Sequence, residues 1–173
     1  MRMLISGVVM FLLMMLVLTF ARDNLRPPQA AELTLTELDD ETTLEALDAG
    51  VADLEFDCTN EERGLESGER VCFAPVSRVG AYQGDYLSLF LEGENALAAV
   101  NIVLDPEHHE ANHKQLRERL GEPDRKLEEA AHTWLVWERD GHRILTHQQP
   151  PEEDAPALMW FRSPEHMERL LPR

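Results

Sequence analysis

Between Met3 and Ala21 the chain carries no charged residue, and the run from Val8 to Leu18 is almost wholly aliphatic. As a helix this segment comes close to spanning a hydrocarbon core of about 30 Å, and it is longer than the apolar centre of a typical signal peptide. It predicts a single-pass membrane anchor at 1–21, followed by a linker at 22–32 and one folded domain at 33–173. Thr19-Phe20-Ala21 places small residues at the two positions a signal peptidase reads, so a soluble product cleaved near Ala21 is the alternative. No cysteine follows the run to take a lipid. Flanking charge does not fix orientation, because Arg2 on one side is answered by Arg22 and Arg26, diluted by Asp23, on the other.

The two cysteines, Cys58 and Cys72, supply the direction. They fall in neighbouring segments with strand patterning and are not spaced as a redox pair, so a structural disulfide in an oxidising compartment is expected. The domain is therefore placed in the periplasm, tethered to the inner membrane. With 33 acidic against 16 basic residues the formal net charge is -17, a surface that repels phosphate backbones and excludes nucleic acid as a favoured partner.

Arg26-Pro27-Pro28 reads as a stiff connector, since each proline fixes its own φ and restrains its predecessor. A short helix is expected over 40–49, with Gly50 ending it. Alternation places Leu54, Phe56 and Cys58 on one face of a strand that pairs with Arg70 to Ala74, and Pro75 marks an edge or bend. Asp85 to Glu92 and Ala96 to Leu104 form a hairpin about Gly93-Glu94-Asn95. Asp105-Pro106-Glu107 starts a helix that Gly121 stops. A charged loop then leads to a second hairpin about Asp140-Gly141, a last strand over 157–162 and a helix capped by Ser163. The fold class expected is α+β: a mostly antiparallel sheet of six or seven strands with one main helix on a face. Its core would draw on Leu87, Leu89, Leu91, Val100, Ile102, Leu104, Leu116, Leu120, Trp134, Val136, Leu158 and Trp160.

Among chemical motifs, His109-Glu110-Ala111-Asn112-His113 is a formal H-E-x-x-H on the long helix. In zinc hydrolases the two histidines hold the metal and the glutamate activates its water. Here the motif lies in the first turns of a proline-started helix, without the bulky apolar residue after the glutamate and without a third ligand in sequence. A non-catalytic metal site using His108, His109 and His113 with Glu107 or Glu110 is a milder version. The alternative is that His109 and His113 extend the packed stripe of Leu116 and Leu120 toward its rim. No catalytic residue and no cofactor is therefore assigned. Alternation puts Trp134 and Trp137 on opposite sheet faces, which leaves Trp137 as the candidate for an exposed binding surface.

Leu120-Gly121-Glu122-Pro123-Asp124 ends the long helix, and Trp134 follows early in the next strands. In this the chain resembles the BamE/SmpA-like family of small envelope proteins, across about a third of its length. That resemblance implies an envelope α+β binding domain without catalysis. It differs in lacking the family's N-terminal lipid-bearing cysteine and in carrying the Cys58/Cys72 hairpin. The function expected is non-enzymatic binding of a protein or other envelope component, with zinc hydrolysis or metal binding through His109, Glu110 and His113 as the rivals.

Overall fold

The computed structural model describes residues 28–51, 53–60, 66, 68–129 and 132–171. The apolar segment expected to form the membrane anchor lies outside them. Among the described residues no helix is long and apolar enough to cross a membrane.

The fold is α+β, dominated by a large, mostly antiparallel sheet. Its strands are β1 (Gln29–Ala31), β2 (Asp57–Thr59), β3 (Arg70–Val79), β4 (Tyr82–Glu92), β5 (Ala96–Leu104), β6 (Arg125–Glu129), β7 (His132–Arg139), β8 (His142–His147) and β9 (Ala157–Phe161). The helices are α1 (Leu44–Val51), α2 (His109–Leu120) and α3 (Pro164–Leu170), with 3-10 turns at Leu35–Glu37 and Pro106–His108. Among the described residues nine strands, rather than about six or seven, run in the order β1-β3-β4-β5-β9-β8-β7-β6, with β2 on the outer side of β3. Two meanders, β3-β4-β5 and β6-β7-β8, are thus joined by the last strand, which inserts between β5 and β8.

The hairpins form where their turn residues require them. Asp140 and Gly141 both take positive φ, 47° and 92°, the backbone of a two-residue turn whose twist matches its strands. Asp105, whose carboxylate accepts the Glu107 N–H at 2.8 Å, caps the 3-10 turn that leads into α2. Gly121, at φ 78°, ends it.

Four expectations are revised. Gln29–Ala31 was assigned to the linker, yet it forms β1, parallel to the end of β3, and Ala31 is fully buried. Arg125–Glu129, expected as a charged loop, pairs throughout with β7 as an edge strand. Charged side chains suit such an edge, which strand-propensity reasoning does not reward. Gly50 lies inside α1 instead of ending it. A Cβ there would stand 2.0 Å from the Glu32 carbonyl, so glycine is required by the close passage of the chain as it leaves β1.

The fourth is the end of β3, which runs on past Ala74 to Val79, with Pro75 at an edge position inside it. The 4.0 Å Cα separation of Cys58 and Cys72 marks a non-hydrogen-bonded pair, so the amides of Val71 and Phe73 face β2 and the Pro75 nitrogen points the same way. On that side β2 pairs no further than Phe73 and β1 begins at Val76, so the missing N–H falls in the gap between two short strands.

The sheet carries helices on both faces. Leu87, Leu89, Ile102, Leu104, Leu135, Trp137, Ile144, Leu158 and Trp160 pack on one side with Leu47 and Val51 of α1 and Leu116 and Leu120 of α2. On the other side Ala99, Trp134, Val136, Leu145, Met159 and Phe161 pack with Met167 and Leu171 at and after α3. Every residue of β9 is buried as a result, the pattern of a strand with apolar neighbours above and below. All twelve expected core residues are buried, divided between these two layers.

Candidate functional site

The H-E-x-x-H segment forms the first turns of α2. His109 is buried, and its ring lies 4.1 Å, centroid to centroid, from that of His113. Glu110 is exposed. The buried partner of His109 along the stripe is Asn112, which sequence patterning missed because an asparagine reads as surface. Its side chain accepts the Gln83 N–H and donates to the Gln83 carbonyl, both at 3.1 Å, and so continues the ladder at the start of β4, past the end of β5.

The histidines hold a loop. His113 Nε2 donates to the His147 carbonyl at 2.7 Å, and His109 Nε2 faces the Gln148 carbonyl at 3.5 Å. His147 Nδ1 accepts the Ala157 N–H at 3.0 Å, closing the far end of the same loop. Burial, followed by the repulsion of His132 and His109, pushes His147 down to about 4. Burial also lowers His113, with His109 adding to it. A groove of about 610 Å³ runs beside this strap, lined by His109, Glu110 and His113 together with Gln148, Gln149 and Pro150. The ring nitrogen that a zinc site would need on His113 is already hydrogen-bonded to backbone. Among the described residues no group of three or more His, Cys, Asp or Glu side chains is placed to hold a metal. His108 pairs with Asp105 at 2.7 Å and stands apart from the strap.

Trp137, expected as an exposed contact, is 1% exposed. Its Nε1 donates to the Gly121 carbonyl at 2.9 Å, tying the end of α2 to β7. Sequence alternation separated the two tryptophans correctly, but an exposed ring presupposed a sheet with one wet face, and α2 covers that side. Cys58 and Cys72 are disulfide-bonded across β2 and β3.

A Ser-His-carboxylate chain also emerges: Ser163 Oγ to His166 Nδ1 at 2.8 Å, and His166 Nε2 to Glu92 at 3.0 Å. The serine is the cap of α3, accepting the His166 N–H, and Glu92 is shared with Arg162. Burial pushes the Glu92 carboxyl up, but His166 and Arg162 outweigh it and hold it below its usual range. The assembly fastens α3 to β4.

A different feature faces solvent. Among the described residues the exposed large hydrophobic side chains are Phe73 at 36% and Tyr86 at 48%. Strand register places them on one face of the sheet, the face that carries α3 further along. One row runs Asp57, Phe73, Ser88, Asn101, and the next runs Pro75, Tyr86, Val103. Pro75 is exposed, and Ser88 and Val103 are half-buried. A register shift between Gly84 and Tyr86 brings Asp85, also exposed, beside the tyrosine. The signal for this patch was present in the sequence as aromatic residues at outward-facing strand positions, but only the uncovered stretch of the sheet makes them a surface.

No family model matches the chain, and no curated protein matches it. Among solved structures it is similar to a DUF4309 family protein, YjgB, from Bacillus subtilis subsp. subtilis str. 168, at 10% identity and a TM-score of 0.38, over 76% of this chain and 86% of that one.

Proposed function

We propose that this chain is a non-enzymatic binding domain of the cell envelope that docks a protein partner on the open part of its sheet, around Phe73, Pro75 and Tyr86. The exposure of those side chains carries the reading: elsewhere on the sheet, large apolar groups are covered by α1, α2 or α3. Exposed aromatic side chains on a rigid sheet, beside a disulfide, provide contact area with little conformational entropy to lose. The apolar segment before residue 22 would tether the domain to the inner membrane, with the disulfide on the periplasmic side. The resemblance to BamE/SmpA-like proteins agrees with such a role, resting on the Leu120-Gly121 stop, Pro123 and Trp134.

A photo-crosslinking amino acid placed at Tyr86 in cells is expected to give a discrete protein adduct, whereas the same group at Glu118 on exposed α2 gives none. Equal labelling from both positions would count against docking on this face. Zinc-dependent peptide cleavage by the purified chain, abolished by Glu110→Gln, would replace the proposal with the hydrolase reading. Carbonate extraction of membranes with N-terminal sequencing distinguishes the anchor from cleavage near Ala21.

A further inference from the structure

Resting on that reading, we infer that the partner presents an extended basic segment, whose lysine or arginine side chains lie across Phe73 and Tyr86 and end on Asp57 and Asp85. Four observations converge on this chemistry. Asp57 is the direct cross-strand neighbour of Phe73, and Asp85 adjoins Tyr86 in sequence, so each exposed ring has a carboxylate beside it. Among the described residues neither carboxylate has a cationic partner. The two arginines of β3 are engaged elsewhere, Arg70 with Asn95 at 2.6 Å and Arg78 with Glu32 at 2.7 Å. The chain as a whole has a net charge of -17, so an approaching cationic segment is drawn in and an acidic one is turned away.

The arrangement suits the two parts of a long cation. An apolar stem lies on an aromatic ring while its charged head reaches a carboxylate or stays over the ring face. Adjacent strands about 4.8 Å apart set β2, β3 and β4 across a width of roughly 10 Å, within reach of alternate side chains from one extended segment. A purely apolar partner would bury Asp57 and Asp85 without compensation, which is costly for unpaired charges.

The test uses the full chain in a zwitterionic detergent and a fluorescent synthetic peptide alternating lysine with valine, followed by anisotropy. A peptide with serine in place of each lysine is the comparison. Asp57→Asn with Asp85→Asn is expected to weaken the lysine peptide about tenfold, and more at low salt. Phe73→Ser with Tyr86→Ser is expected to weaken it by a similar factor of about ten. Glu152→Gln with Glu153→Gln removes the same charge from a distant loop and is expected to change affinity less than about twofold. If the distant pair weakens binding as much, the attraction is diffuse and the inference fails. If the serine peptide binds as tightly and still depends on Phe73 and Tyr86, the basic specificity is wrong while docking on this face stands. Binding of both peptides that ignores the aromatic substitutions would overturn the docking face as well.

Discussion

At the scale of single residues, the histidines show how one motif acquires a different use. Spacing alone puts His109 and His113 together, but what they meet decides their chemistry, and they meet the carbonyls of Gln148 and His147. His147 is the titration to watch. Its folded value lies near 4 against 6.5 in the unfolded chain. Between those values the unfolded chain holds the extra proton, so stability is complete above pH 6.5 and falls as pH drops toward 4. Protonation would also set a second donor against the Ala157 N–H. The denaturant midpoint should be flat above pH 7 and decline through this window, with His147 contributing on the order of 3 kcal/mol. His147→Asn, which can still accept that N–H, should flatten the decline. Trp137→Phe removes the donor to Gly121 from a fully packed site, and about 2 kcal/mol of unfolding free energy should be lost with no change in far-ultraviolet circular dichroism.

Among elements, the decisive contacts are those that local sequence leaves unstated. The hairpins about Asp140-Gly141 and residues 93–95 follow from turn chemistry acting on neighbours in the chain. β1 is different: three residues after two prolines form a strand only because β3 offers them a partner. Gly50 records that contact from the other side. Alanine normally favours a helix interior over glycine by about 1 kcal/mol. Gly50→Ala should nonetheless destabilise the protein by about 2 kcal/mol, because the new methyl group would displace Glu32 and β1. A chemical denaturation curve for the variant measures it, and a gain in stability would show that β1 yields freely. The β2–β3 disulfide acts on the unfolded chain instead, and closing a loop of 14 residues is worth about 3 kcal/mol. Cys58→Ser with Cys72→Ser should lower the unfolding free energy from denaturant titration by about that amount while leaving the β3–β4–β5 meander paired.

For the whole molecule, the order of strands makes β9 the keystone. It joins two meanders that are each locally paired, and it is the latest strand in the sequence. A chain ending at Pro156 should therefore lose its cooperative thermal transition and its near-ultraviolet tryptophan signal while retaining strand content, since both layers lose their centre. Hydrogen exchange should find β9 amides among the slowest in the intact protein. The sequence by itself determined the α+β class, the two hairpins marked by their turn residues, the glycine stop of α2 and twelve of the buried apolar positions. Each depends on side-chain periodicity or turn chemistry within a few residues. The tertiary structure alone decided that α2 and α3 cover opposite faces, that Trp137 is enclosed, that Asn112 replaces a strand and that Phe73 and Tyr86 remain uncovered. Those outcomes depend on which segments, distant in the chain, come to lie over one another, and alternation along a strand separates its two faces without saying what will shield either from water.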